Sequence, residues 1–195
     1  MGGAARRPGH PNGVDLDTWR VGPGGDDAVW TGRIVPEKAP HLAIDAARLA
    51  GLPLRLLGPI HDVNYFDEQV GPRLGRDIEY LGHGSAATVA EIVGRSGVAV
   101  ITPTWEEPFG LVVAEALACG TPVAGFARGA LPELVDPDTG VLVSAGDVAA
   151  LAQAMTAATR LDRSACRRRA VDRFSATRMV DDYERWFAEL IASWS

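Results

Sequence analysis

The stretch "VAVITPTWEEPFGLVVAEALACGTPVAGFA", from Val98 to Ala127, contains the pattern that decides the fold. A continuous apolar run opens it, as is typical of a strand in a sheet that is covered on both faces. A loop with Pro and Gly follows, then an apolar segment of helical length that Gly120 closes, then a second apolar run. Strand, helix and strand in this order form a βαβ unit, which makes the two strands parallel.

The same alternation continues in both directions along the chain. It predicts an α/β fold, a Rossmann-like doubly wound parallel sheet of about six strands with flanking helices. The helices are predicted from Pro40 to Gly51, after an N-cap at Ser85, over 109–118, after an N-cap at Asp147, and over the C-terminal residues. The predicted strands are 28–33, 54–58, 77–82, 98–104, 122–127 and 140–143.

Composition sets the limits of the domain and of its partners. Residues 1–27 are rich in Gly, Pro and Asp and predict a mobile lead, and 28–195 predict one domain. The formal net charge of −6 argues against a nucleic-acid surface. No apolar run reaches the ~20 residues of a membrane span, so we expect no membrane contact. Cys119 and Cys166 are too few for a disulfide framework, which favours a reduced, cytoplasmic protein.

Ligands of doubly wound sheets bind beyond the carboxyl ends of the strands, so the segments there are the candidate site. The first strand is followed by neither a G-x-G-x-x-G nor a Walker motif, and the histidines lack metal-ligand spacing. His83 directly follows a strand, and it either contacts a ligand or lies on the surface. Arg33 and Lys38 follow the first strand, where each is either a solvated charge or a phosphate ligand. Lys38 is the only lysine of the sequence.

Glu107 and Glu115 lie eight positions apart around a helix start. The free N–H groups from about Gly110 and Leu111 predict an anion site suited to a phosphate. Glu115 falls inside a helix that is apolar all round, which predicts a buried helix and therefore a partner for the carboxylate. That partner is either an arginine in a structural ion pair or the two vicinal hydroxyls of a ribose.

Together, "GRIVPEK" (Gly32–Lys38) and "EEPFGLVVAEALACGTPV" (Glu106–Val123) resemble the C-terminal, nucleotide-sugar-binding domain of the family 4 retaining glycosyltransferases, which have the GT-B fold. "NGVD" (Asn12–Asp15) is similar to the segment that opens this domain after the interdomain hinge. The E-x7-E pattern of the two glutamates is the family's signature. The resemblance covers the chain from about Asn12 to Tyr183.

The resemblance implies a role for each site residue. Arg33 and Lys38 would hold the donor diphosphate, and with Glu107, which contacts the transferred sugar, they would form the catalytic set. Glu115 would accept the ribose hydroxyls. The remaining donor contacts would come from the backbone at Phe109, Gly110 and Leu111 and from the strand end at Gly82 and His83, which would face the base.

The resemblance also implies substrates and partners. The donor would be an NDP-sugar, with uridine as the favoured base, and the sugar would pass with retention to an acceptor hydroxyl. No metal is needed if the cations of the site suffice. The N-terminal acceptor domain has no counterpart here, so this chain alone would bind donor without transferring sugar. Alternatives are a non-catalytic nucleotide-sugar-binding or regulatory module, one subunit of a split enzyme, and a sugar-nucleotide epimerase.

Four features depart from the expected patterns or extend them. Ala39 stands where the family often has Gly, and Arg128-Gly129 stands where it often has Gly-Gly. The last helix carries an apolar stripe from Met179 to Trp194 that predicts self-association if it lacks a partner. The basic run Arg163–Arg173 is interpreted as a solvated helix face.

Overall fold

A six-stranded parallel sheet organises the protein, which we describe from a computed structural model covering residues 12–192. The strand order is β3-β2-β1-β4-β5-β6, and every neighbouring pair is parallel. This order confirms the doubly wound fold, with its reversal between β1 and β4. The strands are β1 (Ala28–Thr31), β2 (Leu54–Leu57), β3 (Ile78–Tyr80), β4 (Val98–Ile101), β5 (Val123–Phe126) and β6 (Gly140–Val143).

Helices cover both faces of the sheet and create two cores. One core joins α3, α4 and α7 to the sheet, and the other joins α1 and α6. The four residues of β4 are buried on both sides, as its continuous apolar sequence predicts. The helices are α1 (Pro40–Ala50), α2 (Val63–Tyr65), α3 (Ala86–Arg95), α4 (Leu111–Ala118), α5 (Leu131–Leu134), α6 (Val148–Ala158), α7 (Arg163–Phe174) and α8 (Ala176–Ala192).

Several element ends differ from the prediction for local reasons. Ser85 and Asp147 cap α3 and α6 as predicted, each accepting a backbone N–H three residues on. Helix α4 begins at Leu111 instead of 109, because Gly110 adopts a left-handed φ of 82° that a helix cannot contain. The polar stretch after β2 is a short α2 followed by a π-turn and a 3₁₀ turn, which end at Arg73.

Strands β1 and β2 end earlier than predicted because their chains pass each other closely at two glycines. A Cβ atom on Gly58 would lie 1.8 Å from the carbonyl oxygen of Gly32. The Gly32 N–H donates to the Leu57 carbonyl at 3.0 Å. The two loops that leave these strands therefore start side by side at the carboxyl edge.

The part of the predicted mobile lead that the structure describes, residues 12–27, packs onto the domain. The side chains of Val14 and Trp19 are 5% and 7% exposed. The Val14 N–H donates to the Phe174 carbonyl at 2.7 Å. Burial of two apolar side chains outweighs the turn-forming composition on which the prediction of mobility rested. Residues 1–11 lie outside the described part.

Part of the basic run of α7 packs against the fold, which corrects the interpretation of the whole run as a solvated face, whereas Arg168 and Arg173 are exposed. Arg163 donates to the carbonyls of Gly94, in the last turn of α3, and of Ser96 and Cys119, which directly follow α3 and α4, at 2.8–3.1 Å. Arg167 donates to Trp19 and Ala118 in the same manner. Orphan carbonyls at helix ends need donors, and a guanidinium supplies several at once. These arginines therefore fasten α7 to its neighbours.

The last helix, α8, leaves its apolar stripe partly exposed. None of its residues is buried, and Phe187 is 53% exposed. Self-association through this stripe stays a prediction, and Trp194 lies outside the described residues. Within residues 12–192, no helix is long and apolar enough to cross a bilayer.

Replacing Arg163 with alanine should destabilise the fold. Three buried helix-end carbonyls would lose a charged donor, and we expect the free energy of unfolding to fall by about 2–4 kcal/mol. Urea denaturation measures the change. Arg168→Ala on the same helix is the control, because Arg168 is exposed and, within residues 12–192, pairs only with the exposed Asp162, so its loss should cost less than about 1 kcal/mol. Equal losses for both variants would contradict the structural role of Arg163.

Candidate functional site

The candidate site lies where the strand order reverses, between β1 and β4. The loop after β1 contains Arg33 and Lys38, and the loop after β4 contains Glu107. Since parallel strands place their carboxyl ends at one edge, these loops are neighbours. The sheet thus brings together the charged residues that the sequence singled out.

A buried hydroxyl joins the two loops. Thr102, directly after β4, donates to the carbonyls of Lys38 at 2.8 Å and Ala39 at 3.1 Å. The same hydroxyl accepts from the indole N–H of Trp30 in β1 at 3.1 Å. Ala39 has φ 44°, and it is the only non-glycine residue at positive φ in the described chain. A left-handed conformation favours glycine, which suits the glycine that the family often has at this position, and Ala39 adopts it without that advantage.

Lys38 and Glu107 contact each other directly. Lys38 Nζ forms an ion pair and hydrogen bond with Glu107 Oε2. The Trp105 indole N–H donates to the same oxygen at 3.1 Å. Lys38 Nζ also lies 5.5 Å from the centroid of the Trp105 ring, within the range of a cation–π contact. We call these three residues the Lys38–Glu107–Trp105 cluster.

The loop after β5 fixes the backbone of Glu107. The Ala130 N–H donates to the Glu107 carbonyl at 2.9 Å. A Cβ atom at Gly129 would lie 2.3 Å from the Glu107 nitrogen, and Gly129 has φ 57°, so only glycine fits there. Arg128 Nε lies 3.2 Å from Glu106 Oε1. Arg128 therefore pairs with the neighbouring glutamate at the rim of the site.

A cleft of about 360 Å³ lies next to these loops, at the ends of β1, β2 and β3. It brings Arg33 and His83 to Glu115, which reaches it from α4. Arg33 is exposed, and within residues 12–192 it makes no hydrogen bond or ion pair with protein. The residues that define the cleft include Trp19, Arg33, Gly58, His83, Val112 and Glu115.

Glu115 has no protein partner among the described residues. No hydrogen bond or ion pair reaches its carboxylate, so the predicted structural arginine is absent from residues 12–192. Burial among the apolar residues of α4 raises the pKa of Glu115 to about 7 from its ordinary value of 4.5. A carboxylate that is poorly solvated and lacks a partner is set up to accept hydrogen bonds from a ligand.

The N-terminus of α4 presents free donors. Among the described residues, the backbone N–H groups of Phe109, Gly110 and Leu111 have no protein acceptor. The Phe109 ring packs edge-on against Phe174, at 6.3 Å between centroids, which holds this turn on α7. With the helix dipole, these N–H groups favour an anion, as the sequence predicts.

The strand end at Gly82 and His83 is divided in its roles. His83 lines the cleft. The carbonyl of Gly82 accepts the Gly58 N–H at 2.9 Å, and its φ of 78° turns the chain. Gly82 therefore shapes the edge, and His83 is the residue that a ligand in the cleft would meet.

Sequence reasoning missed Trp19 and Trp105. Trp19 belonged to a segment interpreted as turn-rich, although a tryptophan among glycines is itself a signal of burial. Trp105 lies two residues before Glu107, and its position next to that carboxylate was the available signal. Cys119 and Cys166 are both buried free thiols. A search of residues 12–192 finds no group of three or more His, Cys, Asp or Glu that could hold a metal ion.

Comparison with known proteins points to one family. A sequence profile described as "Glycosyl transferases group 1" matches residues 23–172. A D-inositol 3-phosphate glycosyltransferase of Mycolicibacterium paratuberculosis (strain ATCC BAA-968 / K-10) is 35% identical over 171 residues. That alignment covers 77% of this chain and 38% of the relative, so the chain spans well under half the length of the relative.

Solved structures of glycosyltransferases share the fold. AviGT4, a glycosyltransferase involved in avilamycin A biosynthesis, superposes with a TM-score of 0.83 at 25% identity, covering 97% of this chain and 60% of that one. Anabaena Alr3699/HepE, solved in complex with UDP and glucose, gives a TM-score of 0.77 at 24% identity, covering 93% and 55%. The likeness shows the Rossmann-like sheet of glycosyltransferases.

Replacing Glu115 with glutamine should change how stability depends on pH. The folded protein retains a proton on Glu115 that the unfolded chain releases between pH 4.5 and 7. The free energy of unfolding of the wild type therefore falls as pH rises through this range. At pH 8 we expect Glu115→Gln to be more stable than the wild type by about 1–3 kcal/mol, with the difference vanishing near pH 4.

Urea denaturation of both proteins across this pH range measures the difference. Glu79→Gln is the control, because Glu79 is an exposed glutamate of β3. Its stability relative to the wild type should stay constant with pH. A constant difference for Glu115→Gln as well would contradict the raised pKa.

Proposed function

Because the chain belongs to the family of group 1 glycosyl transferases, we propose that it is the nucleotide-sugar-binding, C-terminal domain of a GT-B, family 4 retaining enzyme. The observation that carries this proposal is Glu115, a partly buried carboxylate without a partner in residues 12–192, facing a cleft beside Arg33. A nucleoside diphosphate supplies what both residues lack.

The ribose is the ligand that suits Glu115. Its two vicinal hydroxyls can both donate to one carboxylate, which replaces the water lost on burial. The walls of the cleft at Trp19 and Val112 are apolar and suit the body of a nucleoside. His83 would face the base.

The diphosphate would lie between the loop after β1 and the start of α4. Arg33 and Lys38 supply cations, and the N–H groups of Phe109, Gly110 and Leu111 supply donors with the helix dipole behind them. When the bond from the sugar to the diphosphate breaks, negative charge develops on the leaving group. Preorganised cations and N–H groups at that place lower the barrier, so no metal is required in this proposal.

The transferred sugar would contact Glu107. This carboxylate lies beside the proposed diphosphate site and can accept from sugar hydroxyls, which orients the anomeric carbon. The donor would be a UDP-sugar, and the Anabaena structure with UDP and glucose supports that choice. The acceptor would bind to a second unit, in the same polypeptide or in another subunit, and this chain alone would bind donor without transfer.

Calorimetric titration with UDP, ADP and GDP tests the donor site. We expect one nucleotide to bind, UDP by preference. Glu115→Ala and Lys38→Ala should each weaken it at least about tenfold, because each removes hydrogen bonds to a charged group. Arg160→Ala is the control, because Arg160 is an exposed cation that follows the end of α6, at the opposite edge of the sheet.

Three results would separate the outcomes. Loss with both site variants and retention with Arg160→Ala would support the proposal. Nucleotide binding that Glu115→Ala leaves unchanged would contradict the ribose assignment. A folded chain that binds none of the three nucleotides would contradict the proposed donor site as a whole.

A further inference from the structure

Lys38 and Glu107 satisfy each other's charge through a direct contact. Their side chains are 20% and 11% exposed, so both charges are largely removed from water. An ion pair at such a depth is strong enough to resist separation, because either charge alone would be poorly solvated. A ligand that draws the Lys38 ammonium away from Glu107 therefore leaves that carboxylate without its cation.

Trp105 holds the carboxylate in this pair. Its N–H donates to Glu107 Oε2, the same oxygen that Lys38 contacts, and its ring faces the ammonium. Within residues 12–192, Glu107 Oε1 accepts no hydrogen bond. Both contacts of the cluster are therefore made to Oε2 of Glu107, and Oε1 is available to another donor.

Ligands differ in what they offer Glu107 in exchange. A bare diphosphate attracts Lys38, yet it brings only acceptors and negative charge, which repel the carboxylate. A diphosphate that carries a sugar also brings hydroxyl donors, which can satisfy the carboxylate that Lys38 leaves. The free-energy cost of separating Lys38 from Glu107 is therefore not offset when a bare diphosphate binds. It is offset when the diphosphate carries a sugar.

We propose that Glu107, held on Lys38 by Trp105, makes the site discriminate against nucleoside diphosphates that carry no sugar. This inference rests on the proposed function, because it assigns Lys38 to the diphosphate. Glu107 then has a second role besides contacting the sugar. Once the sugar has left, Glu107 pairs with Lys38 again, which promotes release of the nucleoside diphosphate. Trp105 is a positioning residue for this exchange.

The test is the affinity of bare diphosphates for a Glu107→Gln variant. Glutamine keeps the shape of the side chain and removes the competing charge. Inorganic pyrophosphate and UDP, titrated calorimetrically, should bind about five- to thirtyfold more tightly than to the wild type. Glu106→Gln is the matched control, because it removes one negative charge from the same loop but from a glutamate that pairs with Arg128, and it should change the affinity less than about twofold.

The outcomes separate this inference from the proposed function. An equal gain in both variants, or no gain with Glu107→Gln while UDP still binds the wild type in a Glu115-dependent manner, would overturn the inference alone. No binding of either probe to any of the proteins would overturn the inference and the proposed function together. A gain confined to Glu107→Gln supports both.

Tryptophan emission tests the part assigned to Trp105. Pyrophosphate should change the emission of the wild type by drawing Lys38 away from the ring, and Trp105→Phe should abolish that change. A tryptophan that only supports the fold would give no such signal. If pyrophosphate binds and changes the emission of the wild type and of Trp105→Phe by the same amount, the role assigned to Trp105 is overturned.

Discussion

The burial of both faces of the sheet is the constraint on which the rest of the structure depends. Helices cover the strands so fully that β4 has no exposed residue. The buried central strands can then offer polar side chains to a ligand only beyond their ends. Arg33, Lys38 and Glu107 all follow strands, and Glu115 reaches the same edge from the helix after β4. The charged residues of the candidate site therefore lie together at the carboxyl edge of a sheet that is otherwise largely apolar.

The same constraint made the fold predictable from sequence. Apolar runs of strand length, separated by helical segments and closed by glycines, leave little choice besides a parallel, doubly wound sheet. What the sequence could not show is which distant groups meet. The arginines of α7 look solvated in a linear reading, because their acceptors are backbone carbonyls of α3 and α4. Trp19 is buried by contacts with segments that lie far along the chain.

The candidate site shows the same division. Residue types and spacing singled out the two cations, the two glutamates and the loop before α4 as candidates. They could not show that Glu115 lacks a protein partner within residues 12–192 or that Lys38 and Glu107 form a pair. The pair depends on loop geometry, to which Thr102, Ala39 and Gly129 contribute through contacts between loops. Short-range pattern finds the groups, and tertiary contacts decide whether they are paired or available.

The setting of Lys38 also has a consequence for chemical labelling. Lys38 is the only lysine of the sequence, so it carries the only side-chain amine of the protein. A reagent that acylates amines would thus have one side-chain amine to modify, located inside the candidate site and shielded by Glu107 and Trp105. The rate of Lys38 acylation would report how often the Lys38–Glu107–Trp105 cluster opens. A bound molecule that covers Lys38 would lower this rate.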